Sequence, residues 1–288
     1  MSIMLKQDFQ DFIFSTNTER SGKAASYIRA LDMLGPILMR HYPHPEIING
    51  SMWHSFDLAD INAIRNWILA EKKKGDASVI LAEFKSPSYL KNDFCSAAVR
   101  AFGEFMAITH FEDSILKHAY DETSGKVLAQ KMEKLIAQNS NTDLEKHLHF
   151  MTTEGKTKLA VVTVRINQDI FRKMVLANYG CKCCITGLTI PEVLRASHIS
   201  AWAEDEVNRL NPENGLCLSA TYDAAFDRHL ISFDDDYRMI VSKDIKDFYT
   251  DAVAKSYFLD HEGQKIFLPN KFLPSKSLLS KHRELIVS

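Results

Sequence analysis

No surplus of positive charge marks this chain. Its 35 Lys and Arg face 37 Asp and Glu, for a net charge of -2 and a pI near 6.6. Bulk charge therefore gives a nucleic-acid partner no support, and any basic surface has to be local. No apolar run approaches the ~18 residues of a membrane span, so no membrane partner is expected. The first residues, MSIMLKQDFQDF, hold acids and no apolar signal core, so no secretion signal is read there. A disulfide framework is missing too. The five cysteines are Cys95, Cys181, Cys183, Cys184 and Cys217. An odd count with three of them clustered fits reduced thiols in a cytoplasmic protein. No internal repeat or low-complexity tract occurs. What remains is an ordinary globular composition, 45% hydrophobic and 25% charged over 288 residues. That length suits one large domain or two modest ones, with a core that needs no staples.

Helical patterning dominates the first half. Ala24, Ala25, Ile28 and Leu31 share a face that predicts a helix from a Ser21 cap to Leu34, which Gly35-Pro36 ends or kinks. The Ser21-Gly22-Lys23 start could bind phosphate at a helix N-terminus, although an ordinary cap is the simpler reading. It is no P-loop, since position 17 is Asn. Asp57 caps a second helix over 57–70 with Leu58, Ile61, Ile64, Trp67 and Ile68 as its stripe. Residues 78–84, SVILAEF, read as a buried strand. Asp76, Glu83 and Lys85 give a faint likeness to the acid-and-lysine site of restriction nucleases, disfavoured by the short gap. A strong helix is expected over Asp93–Ile108, with others over 111–120 and 126–138. The linker compositions at 139–142 and 152–158 put a domain boundary near 150–160, dividing a mainly helical domain at 1–150 from a second domain at 160–288.

Chemistry concentrates in residues 194–230. A helix over 167–179, with Gly180 as a left-handed C-cap, leads into CKCCITG. Structural zinc wants four ligands in separated pairs, and no second pair follows, so buried, metal-free cysteines are expected. Then come His198, Asn214 and Asp223, at spacings of 16 and 9, on a predicted strand (194–199), a long loop, a second strand (215–219) and a helix (220–228). Phosphodiester hydrolysis needs a base for water and neutralisation of the phosphate charge. A neutral histidine supplies the first near pH 7, and a carboxylate-held divalent cation the second. Asp227 lies one helical turn past Asp223 and faces the same side. Asn214 can hold the loop and orient the histidine. Arg195, Arg209 and Arg228 are candidate phosphate contacts, as are Lys23 and Lys91 near predicted helix starts. The acidic run Glu204–Glu206 should point away from DNA or be displaced. His229, past the acids, reads as a surface or capping residue.

The ordered segments ASHI, NPENGLCL and TYDAAFDRHLISF resemble the HNH endonucleases. YGCKCCITG is similar to the segment that leads into the motif in one HNH subfamily, and the likeness covers roughly residues 160–240. It implies an α+β protein whose C-terminal domain has the beta-beta-alpha-metal fold. By the same resemblance His198 is the general base, Asn214 the middle asparagine and Asp223 a metal ligand. Asp227 matches an acid usual in the subfamily. Ser197 stands where many members carry a second ligand, which leaves Asp227 or water to fill the shell. An acid at the last motif position favours Mg2+ or Mn2+. The implied protein is a metal-dependent nuclease of double-stranded DNA, in restriction or phage defence, with a homodimer left open. The rivals are a catalytically silent nucleic-acid-binding module and an RNA-directed nuclease.

Overall fold

The structure is a computed structural model that describes residues 2–16, 22–84, 87–117, 122–139, 156–248 and 251–286. The described residues divide into two compact units, one up to Phe111 and the other from Glu112 onward. Among them no helix is long and apolar enough to cross a membrane. The fold is α+β, with helices in the first unit and two small sheets in the second.

The first unit runs through α1 (Ser2–Thr16), α2 (Lys23–His41), α3 (Leu58–Lys73), the short α4 (Val79–Glu83) and α5 (Ser88–Lys91), and most of α6 (Phe94–Leu116). Its core is aromatic: Phe9, Trp53, Phe56, Phe102 and Phe105 are all buried. The Asp57 cap is present, its carboxylate accepting from the Ala59 N–H at 2.9 Å. Gly22 takes the N-cap position of α2, and the expected cap Ser21 lies outside the described residues. That helix does not end at Leu34. It carries Pro36 in its interior because Ile37 and Leu38 continue the buried face beyond it. The predicted strand at 78–84 is helix α4 instead. Ser78 caps it, and the buried Glu71 carboxylate accepts from the Val79 N–H and the Ser78 hydroxyl at 2.9 and 3.0 Å. Local capping outweighs the β-branched run there. Glu83 pairs with Arg40 and His41, which removes it from any Asp76-centred site, and Lys85 lies outside the described residues. The helix expected at 111–120 is the end of α6.

The second unit includes α7 (Gly125–Asn139), which the composition of the linkers assigns to the first domain. Its Gly125 N–H donates to the Glu213 carboxylate at 3.0 Å, a tie to the loop ahead of the second strand. Helix α8 (Lys156–Asn178) starts earlier than its apolar stripe suggests, and Gly180 follows it at φ 59 as a left-handed terminator. Strands β1 (Leu194–His198) and β2 (Gly215–Ser219) pair antiparallel, with His198 opposite Gly215 and Leu194 opposite Ser219. Helix α9 (Ala220–Asp227) follows at once. The hairpin of β3 (Ile231–Phe233) and β4 (Met239–Val241) comes next. Helices α10 (Lys243–Phe248), α11 (Ala252–Tyr257) and α12 (Lys276–Glu284) complete the unit. Asn178, at the end of α8, donates to the Phe272 carbonyl at 2.8 Å and accepts from the Phe272 N–H at 3.1 Å. The last segment is thereby stitched to the helix that opens the unit.

Candidate active site

His198 ends β1 and is placed by packing. Helix α8 lies so close to β2 that a Cβ on Gly215 would sit 2.4 Å from Val175 Cγ2, so only glycine fits opposite His198. The approach lays the Phe171 ring flat on the imidazole, centroids 3.6 Å apart, with Trp202 edge-on at 5.5 Å. Asn214 is wholly buried and clamps the intervening loop. Its Oδ1 accepts from the Ser200 N–H at 2.7 Å, and its Nδ2 donates to the carbonyls of Ser200 and Asn208, each at 3.1 Å. The clamped loop brings the Arg209 carbonyl to 3.1 Å from His198 Nε2. A carbonyl can only accept, so Nε2 carries the hydrogen and Nδ1 the lone pair. Burial pushes the imidazole pKa below its ordinary value, and the Arg209 carbonyl opposes only part of that shift. The ring is therefore a neutral proton acceptor at pH 7.

Asp223 stands in the first turn of α9, where the helix dipole favours a negative charge. The hydroxyl of Ser197, buried on β1, donates to Asp223 Oδ1 and so fixes one carboxylate oxygen beside the histidine strand. Asp227 follows one turn later. Burial raises its carboxyl pKa, the Asp223 charge raises it further, and Arg228 and His229 counter only in part. Both acids, with Ser197, His198 and Trp202, line a cleft of about 1240 Å³. The cleft wall carries five carboxylates against the three cations Arg172, Arg195 and Lys281. Glu204 and Asp205 are among the five, so of the two expectations for this run only displacement remains, and Asp205 is engaged by Asn208 Nδ2 at 2.7 Å. A polyanion entering so acidic a cleft needs extra positive charge, and hard carboxylate oxygens suit a hard divalent cation. Among the described residues no three His, Cys, Asp or Glu side chains form a ready metal cage.

The cysteines lie apart from this chemistry. Cys183, Cys184 and Cys217 are buried and Cys181 is exposed, and none lines the cleft. Cys183 Sγ accepts from the Ser219 N–H at 3.3 Å, while burial pushes the Cys217 thiol up to about 12.

The candidate phosphate contacts separate. Arg195 lines the cleft, its guanidinium leaning on the Glu192 and Leu194 carbonyls at 3.1 and 2.9 Å. Arg209 braces the loop, donating to the Trp202 carbonyl at 2.8 Å and lying over the Trp202 ring. Arg228 is exposed and donates to the Ala224 carbonyl at 3.0 Å. Lys23 and Lys91 are exposed residues of the first unit. His229, read from sequence as a surface or capping residue, lines the cleft at φ 55. His282, which carries no motif, lines it too. Trp202 and Phe171, the rings around His198, also escape a reading by motif, since neither their spacing nor their type sets them apart from core aromatics.

Residues 183–234 match the HNH endonuclease family. The matched segment holds His198 at the end of β1, Asn214 in the turn just before β2, and Asp223 and Asp227 on the helix that follows. No curated protein matches the chain. The second unit carries an HNH endonuclease domain, which supports a nuclease-type function.

Proposed function

We propose that the chain is a metal-dependent endonuclease that hydrolyses phosphodiester bonds of double-stranded DNA. One observation carries this reading: a histidine whose tautomer is set by the Arg209 carbonyl shares a cleft with the carboxylates of Asp223 and Asp227. His198 Nδ1 takes the proton of an attacking water, and the Nε2–H bond to Arg209 steadies the positive ring that results. Asn214 keeps that carbonyl in register by clamping the loop at Ser200 and Asn208. Ser197 orients Asp223, which with Asp227 would hold Mg2+ or Mn2+. When bound, the ion supplies charge neutralisation to the phosphate and to the leaving oxygen. Arg195 would meet a backbone phosphate at the cleft wall. Restriction or phage defence is the setting such an activity fits.

Nicking of supercoiled plasmid, modified and unmodified, tests the proposal. Wild-type protein should convert it in Mg2+ or Mn2+ and stop on chelation. Asp223→Ala should need about tenfold or more added metal. Failure to nick either plasmid with both metals sinks the reading, and cleavage of RNA alone in a parallel reaction would reassign the substrate.

A further inference from the structure

The cleft has a wall that the 183–234 segment does not contain. Helix α12 contributes Leu278, Lys281 and His282. His282 is 4% exposed and lies flat on the Phe226 ring, centroids 3.8 Å apart and planes 2° from parallel. Its Nδ1 is 3.0 Å from the Ser232 hydroxyl. Its Nε2 is 3.1 Å from the Phe226 carbonyl and 3.2 Å from His229 Nδ1. The proton positions follow from these partners. The Phe226 carbonyl can only accept, so His282 Nε2 carries the hydrogen and Nδ1 accepts from Ser232. That one N–H is shared with His229 Nδ1, which is therefore the acceptor nitrogen of its own ring. His229 Nε2 is then the nitrogen that carries a hydrogen, on a residue that lines the cleft. The backbone at His229 points the same way. A φ of 55 just past a helix is where glycine is the default, and a side chain kept there needs a reason. Lys281 is exposed on the same cleft.

We propose that His229 and Lys281 form a phosphate subsite of the cleft, built for a nucleic-acid backbone phosphate beside the scissile one, with His282 as the buried positioning residue that leaves His229 Nε2 as an N–H donor. This deepens the nuclease reading and rests on it. The subsite contributes a full charge from Lys281 and an N–H donor from His229, and a charged contact releases counterions.

The test uses the full chain carrying His198→Ala, in Mg2+, with binding of a short fluorescent DNA duplex measured across a salt series. Lys281→Ala should weaken binding and flatten the slope of log K against log salt by about 0.9. His229→Gly should weaken binding about tenfold, the loss expected for one hydrogen bond to a charged group. Its melting temperature should hold or rise, since glycine suits the backbone and His282 keeps its Phe226 bond. His282→Phe should weaken binding alone and add nothing in the His229→Gly background. Parental affinity and slope in both the Lys281 and His229 variants would overturn the subsite and leave the nuclease reading standing. So would a His229→Gly variant that melts several degrees lower, since His229 would then be structural. A parent with no duplex binding at low salt, together with a wild type that cleaves nothing, would remove both.

Discussion

The two units bury different things. In the first, Phe9 meets Phe102, Phe105 and Trp53 with ring centroids 5.6 to 5.8 Å apart, and the buried polar residues are Glu71, Ser78, Ser96 and Glu104. In the second, eight polar residues are buried, and Ser197, Asn214, Ser232 and His282 among them brace the cleft. Apolar burial stabilises without direction, whereas a buried polar group costs desolvation unless its partners are placed. The first unit is therefore held by area. The second accepts costlier groups, and four of them, Ser197, Asn214, Ser232 and His282, hold side chains or loops at the cleft.

His198→Ala should cut the contrast at its sharpest point. Nicking should fall about 100- to 10,000-fold while circular dichroism stays native. Near wild-type cleavage would remove His198 from the chemistry. Phe102→Ala tests the other side of the comparison. It should lower unfolding free energy by about 4 kcal/mol in urea, through the cavity it leaves, and folded protein should nick at the wild-type rate. A fall in the rate of fully folded protein would show that area alone does not describe the first unit.

The buried histidine makes the second unit sensitive to acid. Burial first, and the neighbouring His229 second, lower the His282 pKa from 6.5 to about 4. Between those values the unfolded chain binds a proton that the folded chain refuses. Stability is thus complete above pH 6.5 and is lost as pH falls toward 4, by roughly 3 kcal/mol in all. Unfolding of His282→Phe should lack that slope. Parallel loss in both proteins would show that His282 is not held neutral. The smallest effect belongs to Asn214→Ala, about 2 kcal/mol from the loop groups it leaves without partners, with slower nicking as the Arg209 carbonyl loses its place. Unaltered activity at reduced stability would confine Asn214 to a structural role.

Local chemistry was legible in the sequence, and distant pairing was not. His198 ends one short strand, Asn214 lies in the turn before the next and Asp223 stands in the helix after it, and the breaks between these elements follow turn and capping residues that could be read directly. Residues 78–84 misled because a run of Val, Ile and Leu looks extended until the Ser78 cap and the Glu71 carboxylate are seen together. Helix α2 outran Pro36 because tertiary burial of Ile37 and Leu38 outweighs one missing N–H. The pairing of His229 with His282 escaped altogether. They stand 53 residues apart, and no periodicity joins a residue after α9 to one near the end of α12.

That separation has a consequence for timing. A chain cut after Asp234 already holds His198, Asn214, Asp223 and Asp227, yet lacks the helix that seats against Phe226 and Ser232. Contacts that close so long a loop form late in folding, after the local strands and helix. As the polypeptide leaves the ribosome, the groups that would attack a phosphate therefore emerge first, and the wall that includes Lys281 and His282 arrives last. The cleft gains the wall formed by α12 only after the segment that carries His198, Asn214, Asp223 and Asp227 has been made.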